Sequence, residues 1–182
     1  MVLWIVLAVV LLVLIFLVLG YNGLVAKRNR SQNAWAQVDV QLKRRHDLIP
    51  NLVETVKGYA SHERQTLEAV IAARRQAVAA QGPHDQAAAE NMLSGALKNL
   101  FALSEAYPDL KANQNFLALQ EELTATEGRV SYARQFYNDA TLSYNNKLQQ
   151  FPTVIFANMM HFQKREYFQA DALSRDVPKV QF

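Results

Sequence analysis

The chain begins with nineteen consecutive hydrophobic residues, Met1 to Leu19, and its first charged side chain is Lys27. At about 1.5 Å of rise per helical residue, residues 2–22 would span on the order of 30 Å, which is the thickness of the hydrocarbon core of a bilayer. A buried core helix of a water-soluble protein rarely runs so far without a polar residue. Residues 1–26 are therefore predicted to form a transmembrane anchor.

A secretory signal peptide is the main alternative for an apolar segment at this position. Signal peptides have a basic region before the apolar run and a small-residue cleavage site after it. Here no Lys or Arg precedes the run, and residues 19–23 contain no A-x-A pattern. We therefore expect the anchor to remain attached to the mature protein.

The charges that follow the anchor predict its orientation. Lys27, Arg28 and Arg30 come directly after the apolar segment, where we expect them to contact the lipid headgroups. Between residues 27 and 45 there are six Lys or Arg residues and a single acid, Asp39. The positive-inside rule places this side in the cytoplasm and the short N-terminus outside, although large domains are sometimes translocated regardless of charge.

The composition excludes several classes of function. The chain has no cysteine, so disulfides, thiolate nucleophiles and cysteine-based metal sites are excluded. The net charge of +3 is too small to indicate a nucleic-acid partner. Only 6 Gly and 5 Pro interrupt the sequence, which favours long helices.

A heptad repeat of apolar side chains follows the anchor. Its positions alternate at intervals of three and four residues: Trp35, Val38, Leu42, Arg45, Ile49, Leu52, Val56 and Tyr59. Such spacing is typical of a long helix that packs along a partner helix, as in a coiled coil. Pro50 lies inside the repeat without shifting its phase, so we expect a bend in one continuous helix and not a break.

A second repeat with the same spacing occurs later in the chain, at Phe116, Leu119, Leu123, Thr126, Val130, Ala133, Tyr137, Ala140 and Tyr144. Several of its members are small or polar, which leaves room for large side chains such as Trp35 and Tyr59 on the partner helix. We expect the aromatic members of both repeats to lie in the core.

Between and after the repeats the sequence predicts shorter elements. Apolar spacing continues less strictly to Val78, residues 81–85 are predicted to form a loop, and residues 86–105 a shorter helix. A turn at residues 107–109 leads into the second long helix, and residues 154–160 are predicted to form another short helix.

Two long helices joined by a shorter arm can bury both repeats only by folding back on each other. The predicted fold class is therefore all-α, with an N-terminal transmembrane helix followed by an antiparallel bundle of long helices. Residues 27–170 are predicted to form the helical domain, and residues 171–182 a flexible C-terminal tail.

The sequence resembles the LemA family of bacterial membrane proteins over nearly its whole length. The matching motifs are YNxLVxxRN at 21–29, AWxQVDVQLKRRxDLIPNLV at 34–53, VKGYAxHE at 56–63, LQxEL at 119–123, RxxYN at 134–138 and FP at 151–152. The resemblance implies a transmembrane helix and an all-helical cytoplasmic domain in a bacterial inner membrane, and it brings no catalytic or cofactor residues. Relatives in magnetosome-forming bacteria take part in building that organelle's membrane, and others are encoded near membrane metalloproteases, which makes a membrane protease a candidate partner.

The residues themselves provide no catalytic set. His62-Glu63 begins like the zinc motif H-E-x-x-H, but the second histidine would have to stand at position 66, which is Thr66. The other histidines are far apart in the sequence. We therefore predict no catalytic residues, no metal and no cofactor.

The densest basic cluster is Lys43, Arg44 and Arg45. It is either a solvated helix face with local pairs such as Asp39 with Lys43, or a contact for anionic lipid or an acidic partner. Arg45 differs from its neighbours because it occupies a heptad position, where an unpaired charge would be costly, so we expect it to pair with an acid across the bundle. The candidate acids are Glu121, Glu122 and Glu127.

The predicted function is that of a membrane-anchored, non-catalytic scaffold or adaptor in the bacterial inner membrane, acting through self-association and protein partners. Its expected partners are the lipid bilayer, further copies of itself and other membrane proteins such as a membrane protease. The alternative is a lipid-organising or membrane-remodelling protein that acts through its basic juxtamembrane segment.

Overall fold

The computed structural model describes residues 1–60 and 62–168. Within these residues the chain forms helices and no strand, which confirms the predicted all-α class. The helices are α1 (Val2–Tyr59), α2 (Arg64–Ala79), α3 (Gly82–Ser104), α4 (Pro108–Lys111), α5 (Gln114–Gln149) and α6 (Thr153–Met159).

Helix α1 combines the anchor and the first heptad repeat in one element of 58 residues. It continues without interruption through Pro50, as the unbroken heptad phase predicted. Its apolar N-terminal part is exposed along its length, and it is the one helix in the described part of the chain that is long and apolar enough to cross a membrane. The division at residue 26 stays a prediction, and the predicted boundary at 170 and tail at 171–182 lie outside the described residues.

Helices α1 and α5 run antiparallel. Successive residues of α1 contact successively earlier residues near or on α5. The four contacts are Lys27 with Ser143, Ser31 with Thr141, Arg45 with Glu127, and Tyr59 with Asn113. Both heptad repeats face this interface, with Val38, Leu42 and Val130 buried in one cluster. The antiparallel bundle of long helices is therefore present as predicted.

The chain reverses after Tyr59, which the sequence analysis did not predict. Helix α2 folds back along α1 and α3 turns again, so that Leu67 and Val70 pack in the same core as Leu52 and Val56. A helix continuing past residue 59 would have carried these apolar side chains away from that core. The second reversal occurs at Gly82, whose φ of +79° is in the left-handed region that favours glycine, and α3 begins there and not at the predicted residue 86.

Tyr59 corrects a further expectation, because it is 45% exposed and does not lie in the core. Its hydroxyl oxygen accepts a hydrogen bond from Asn113 at 2.8 Å, at the end of the bundle away from the anchor. The predicted core positions Tyr137 and Tyr144 are buried, and the Trp35 ring packs against that of Tyr137 at 5.2 Å.

Residues 162–168 form an extended strap along α5. Asn145 accepts from the backbone N–H of Arg165 and donates to its carbonyl oxygen, both at 2.9 Å, and Asn138 makes the same pair with Phe168. Tyr137 and Tyr144 donate their hydroxyl protons to other strap carbonyls. Two Tyr-Asn pairs seven residues apart on α5 thus bind a segment without secondary structure of its own.

Candidate functional site

The most concentrated chemistry in the molecule is a buried ion-pair network where α1, α3 and α5 meet. Arg45 is 3% exposed and lies between two carboxylates. Its Nη1 donates to Glu90 at 2.9 Å, and its Nη2 is 2.7 Å from Glu127 and donates to Ser94 at 2.8 Å. Arg45 therefore links three helices.

Glu90 is the centre of this network and is wholly buried. Its oxygens contact Arg45 at 2.9 Å, His46 Nε2 at 2.6 Å and Gln86 Nε2 at 3.2 Å. Burial raises the pKa of the Glu90 carboxyl, but the hydrogen bond and charge of His46, the charge of Arg45 and the hydrogen bond from Gln86 together lower it below its ordinary value. Glu90 is therefore held as a carboxylate, and its complete burial leaves no face open to a substrate.

His46 also connects the network to Pro50. Proline has no N–H, so the carbonyl oxygen of His46, four residues earlier, has no donor within the helix. Arg74 of α2 replaces that donor, since its Nε donates to the His46 carbonyl at 2.7 Å. The proline thus leaves an acceptor open, and the side chain of a neighbouring helix satisfies it.

We expect Arg74→Ala to lower the free energy of unfolding by about 1–3 kcal/mol, because it leaves the partly buried carbonyl of His46 unpaired. In a Pro50→Ala background the helix regains its own N–H donor, and the cost of Arg74→Ala should fall. A double-mutant cycle on the full chain in detergent, followed by urea unfolding, measures this coupling. Equal costs in the two backgrounds would show that Arg74 does not replace the missing helix donor. Arg75→Ala, at an exposed neighbouring position, is the control.

A second arginine, Arg134 on α5, is half-buried and lies close to the network. The guanidinium of Arg134 stacks on the Phe168 ring, with 4.3 Å between its Cζ and the ring centroid. Burial lowers the pKa of Arg134, while the charges of Glu127 and Glu90 raise it in part. Arg134 therefore joins the strap to the same cluster of charges.

The arrangement serves structure better than catalysis. Each carboxylate in it is paired with a cation, and Arg45, His46 and Glu90 are buried. A general acid or base must reach the proton it transfers, and Glu90 has no open face. The network fixes how three helices align.

The structure separates His62-Glu63 from any ligand set. Glu63 accepts a hydrogen bond from the Tyr107 hydroxyl at 2.9 Å, and this bond raises the pKa of Tyr107. No group of three or more His, Asp or Glu that could hold a metal occurs in the ranges 1–60 and 62–168. The absence of a metal and a cofactor stays a prediction.

The predicted lipid-contacting residues lie where α1 leaves the apolar segment, but they differ in their surroundings. Lys27 donates to the Ser143 hydroxyl at 2.7 Å, so its amine faces the bundle. Arg30 lies over the Phe136 ring at 5.6 Å, and Arg28 lines an open cavity beside the strap. Lipid contact by these three residues stays a prediction.

The three candidate partner residues are also placed differently from one another. Lys43 is exposed, and Arg44 makes a surface ion pair with Glu122 at 2.6 Å. Arg45 reaches Glu127, which is one of the three acids that the sequence suggested. Its other partner, Glu90, was missed because nothing in the sequence shows where α3 lies relative to α1.

One surface of the bundle is apolar and open. A groove of about 700 Å³ runs between α1 and α5. Its floor is formed by small residues, among them Ala36, Ala125 and Gly128, and the large side chains Val40 and Tyr132 border it while 62% and 74% exposed. The sequence pattern did not indicate this groove because all of its lining residues except Ala133 fall outside both heptad repeats.

Comparison with known proteins matches most of the chain to a family model. The model of the LemA family matches residues 34–182. The protein named Protein LemA from Metamycoplasma hominis is 27% identical over 158 residues, which cover 85% of this chain and 71% of that protein.

Magnetosome proteins are also similar to the chain. Magnetosome protein MamQ 2 from Paramagnetospirillum magneticum is 26% identical over 179 residues, covering 84% of this chain and 66% of the relative. Magnetosome protein MamQ from Magnetospirillum gryphiswaldense is 24% identical over 178 residues, which cover 84% of this chain and 65% of that relative. The chain thus spans about two thirds of the length of these two relatives.

Proposed function

Because this chain belongs to the LemA family, as its motifs predicted, and is a membrane-associated protein, we propose that it acts as a non-catalytic scaffold. In this role, copies of the protein associate laterally through the groove between α1 and α5 and present their helical domains to other membrane proteins. A membrane protease is one candidate among those partners.

The observation that carries this proposal is the open groove itself. Val40 and Tyr132 are large apolar residues that stand exposed beside a floor of small residues. Small side chains let a second helix approach closely, and a ridge of side chains on that helix can enter the groove. Exposed apolar surface rimmed by polar groups commonly marks an interaction site, and here Gln37, Gln41 and Arg129 line the same groove.

Anchoring favours association through such a surface. Helix α1 joins the anchor to the groove without a break, so every copy holds its groove at the same height above the membrane and in the same orientation. Confinement to a membrane raises the effective concentration of one copy near another, so a modest groove is sufficient for pairing. The buried state of the ion-pair network supports a role that does not include catalysis.

We further propose that the domain lies in the cytoplasm and that the membrane is the bacterial inner membrane. The six-to-one basic excess in residues 27–45 supports this orientation. Since the chain has no native cysteine, His84→Cys in an exposed position gives a single reporter. We expect an impermeant maleimide to label it only after spheroplasts are lysed. Labelling in intact spheroplasts would place the domain outside.

Gly128→Leu tests self-association directly. A Cβ at Gly128 meets nothing within 4 Å in the single chain, so the domain should fold with Leu in this position. In an assembly that uses the groove, the larger side chain overfills the interface and should weaken association by about 1–3 kcal/mol. Sedimentation of the full chain in detergent measures the change.

Gly95→Leu is the matched control. Gly95 is also an exposed helical glycine whose Cβ would meet nothing within 4 Å, but it lies on α3, outside the groove. Both changes raise helix propensity equally. The proposal requires that only Gly128→Leu shifts the protein toward monomer, and an equal response of the two variants would refute it.

A further inference from the structure

The end of the bundle next to the anchor contains a site that the scaffold function does not use. Helix α6 and the residues after it pack against α1 at Leu24, which Tyr144, Leu148 and Ala157 cover completely. The Phe162 ring contacts that of Tyr21, one turn earlier on α1, at 6.1 Å. These contacts fix α6 and the start of the strap to the first turns of α1 beyond the apolar segment.

The position of these contacts along α1 sets their depth. The segment of about 30 Å that matches the hydrocarbon core ends at residue 22, so Leu24 lies about 3 Å farther along the helix axis. The polar headgroup layer of one leaflet is roughly 5–7.5 Å thick. Tyr21 and Phe162 therefore lie at the boundary between the hydrocarbon core and the headgroup layer, and α6, which packs against Leu24, lies within the headgroup layer.

The outer side of α6 is apolar. Ile155 and Met159 lie four residues apart on α6 and are 56% and 76% exposed, and the neighbouring Phe151, in the turn before the helix, and Met160, directly after it, are exposed as well. The side of α6 that faces the bundle is fixed by the buried Ala157. Large apolar side chains at this depth meet lipid instead of water, as in helices that lie in the membrane interface.

A basic cavity opens beside this apolar surface. It has a volume of about 770 Å³ and is lined by Tyr21, Arg28, Tyr144 and residues 160–165. Arg28, Lys164 and Arg165 contribute three cations, and no acid is among the lining residues. Within residues 1–60 and 62–168, none of the three makes a salt bridge of 4 Å or less, so their charges are available to a ligand.

We propose that this cavity binds the headgroup of an anionic phospholipid from the bilayer in which α1 is anchored, while the apolar side of α6 rests among the lipid chains. Arginine and lysine side chains contact the phosphate, and Tyr21 and Phe162 form the wall that faces the membrane. The occupant is a lipid because the cavity is continuous with the anchor and lies at headgroup depth. This inference depends on neither self-association nor the orientation of the domain.

The depth of α6 is tested first, with the full chain in nanodiscs. Ile155→Cys and the control Val78→Cys, at an exposed position of α2, are each labelled with an environment-sensitive fluorophore. We expect lipids with a spin label near the headgroup to quench the label at 155 strongly and the label at 78 hardly at all. Equal quenching at the two positions overturns the proposal.

The cavity is tested by removing its charges. Arg28→Gln, Lys164→Gln and Arg165→Gln are combined, and the control combines Arg64→Gln, Arg75→Gln and Lys98→Gln, which are exposed cations outside the cavity. The readout is the phosphatidylglycerol that stays bound when each full-length protein is released from discs of mixed phosphatidylglycerol and phosphatidylcholine into a native mass spectrometer.

Each Lys or Arg side chain near an anionic lipid surface raises the affinity for that surface by a factor of about five. We expect the cavity variant to lose its preference for phosphatidylglycerol by more than about tenfold, and the control to keep it. Millimolar inorganic phosphate should not displace the lipid from the wild-type protein. Retained preference in the cavity variant, equal loss in the control, or displacement by free phosphate each overturns the proposal.

Discussion

Replacing Arg45 with methionine is expected to lower the free energy of unfolding by about 3–5 kcal/mol, because it breaks a buried ion pair and leaves charge behind. Glu90 would keep His46 and Gln86 but lose the guanidinium of Arg45, and it is wholly buried. Methionine preserves much of the side-chain volume, so the decrease in the free energy of unfolding measures the lost charge more than lost packing. Urea unfolding of the full chain in detergent, followed by circular dichroism, measures the change.

Arg44 provides the control for this experiment at the adjacent position. It also makes an ion pair, with Glu122 at 2.6 Å, but its side chain is 53% exposed. Exposed pairs of this kind contribute about 0–1 kcal/mol, so Arg44→Met should scarcely change the free energy of unfolding. Similar effects of the two substitutions would mean that Arg45 is solvated in the native protein and does not hold three helices together.

The second large effect concerns the anchor. Sixteen of the residues from Val2 to Leu19 are Leu, Ile, Val or Phe. Each favours insertion by about 0.3–0.6 kcal/mol, and one arginine near the middle opposes it by about 2.5–3.5 kcal/mol. A single Val10→Arg should therefore remain in the membrane, whereas arginine at Leu7, Val10 and Leu14 together should prevent insertion.

Membrane fractionation with alkaline carbonate extraction distinguishes these outcomes. The single variant should stay in the pellet with the wild-type protein, and the triple variant should be extracted. If the triple variant also resists extraction, the bundle itself holds the protein on the membrane and α1 is not its main anchor.

The features that the sequence predicted well are those that one helix determines alone. The length of the apolar segment, the continuity of α1 through Pro50 and the phase of both repeats follow from local periodicity. The buried position of Arg45 follows from the same periodicity, since a heptad position faces the partner helix. These properties do not depend on where the rest of the chain folds.

The features that the sequence did not reveal depend on where the chain turns. The sequence indicates the reversal after Tyr59 only weakly, because Gly58 precedes it and no proline follows it. This reversal nevertheless brings Glu90 into contact with Arg45, and Arg74 into contact with His46. The strap over residues 162–168 has neither period nor turn residues to indicate it. The one sequence feature that indicates the strap lies on α5, the helix that binds it, where two Tyr-Asn pairs occur seven residues apart.

Association of anchored copies of this protein through the groove between α1 and α5 is the basis of the proposed scaffold function. Cross-linking in native membranes tests it most directly, with Val40→Cys in the groove and Val78→Cys on α2 as a control of the same residue type and similar exposure. We expect that a short bis-maleimide joins two chains at residue 40, that it does so far less at residue 78, and that Gly128→Leu abolishes the product at residue 40. No product at residue 40, or equal products at 40 and 78, would contradict it.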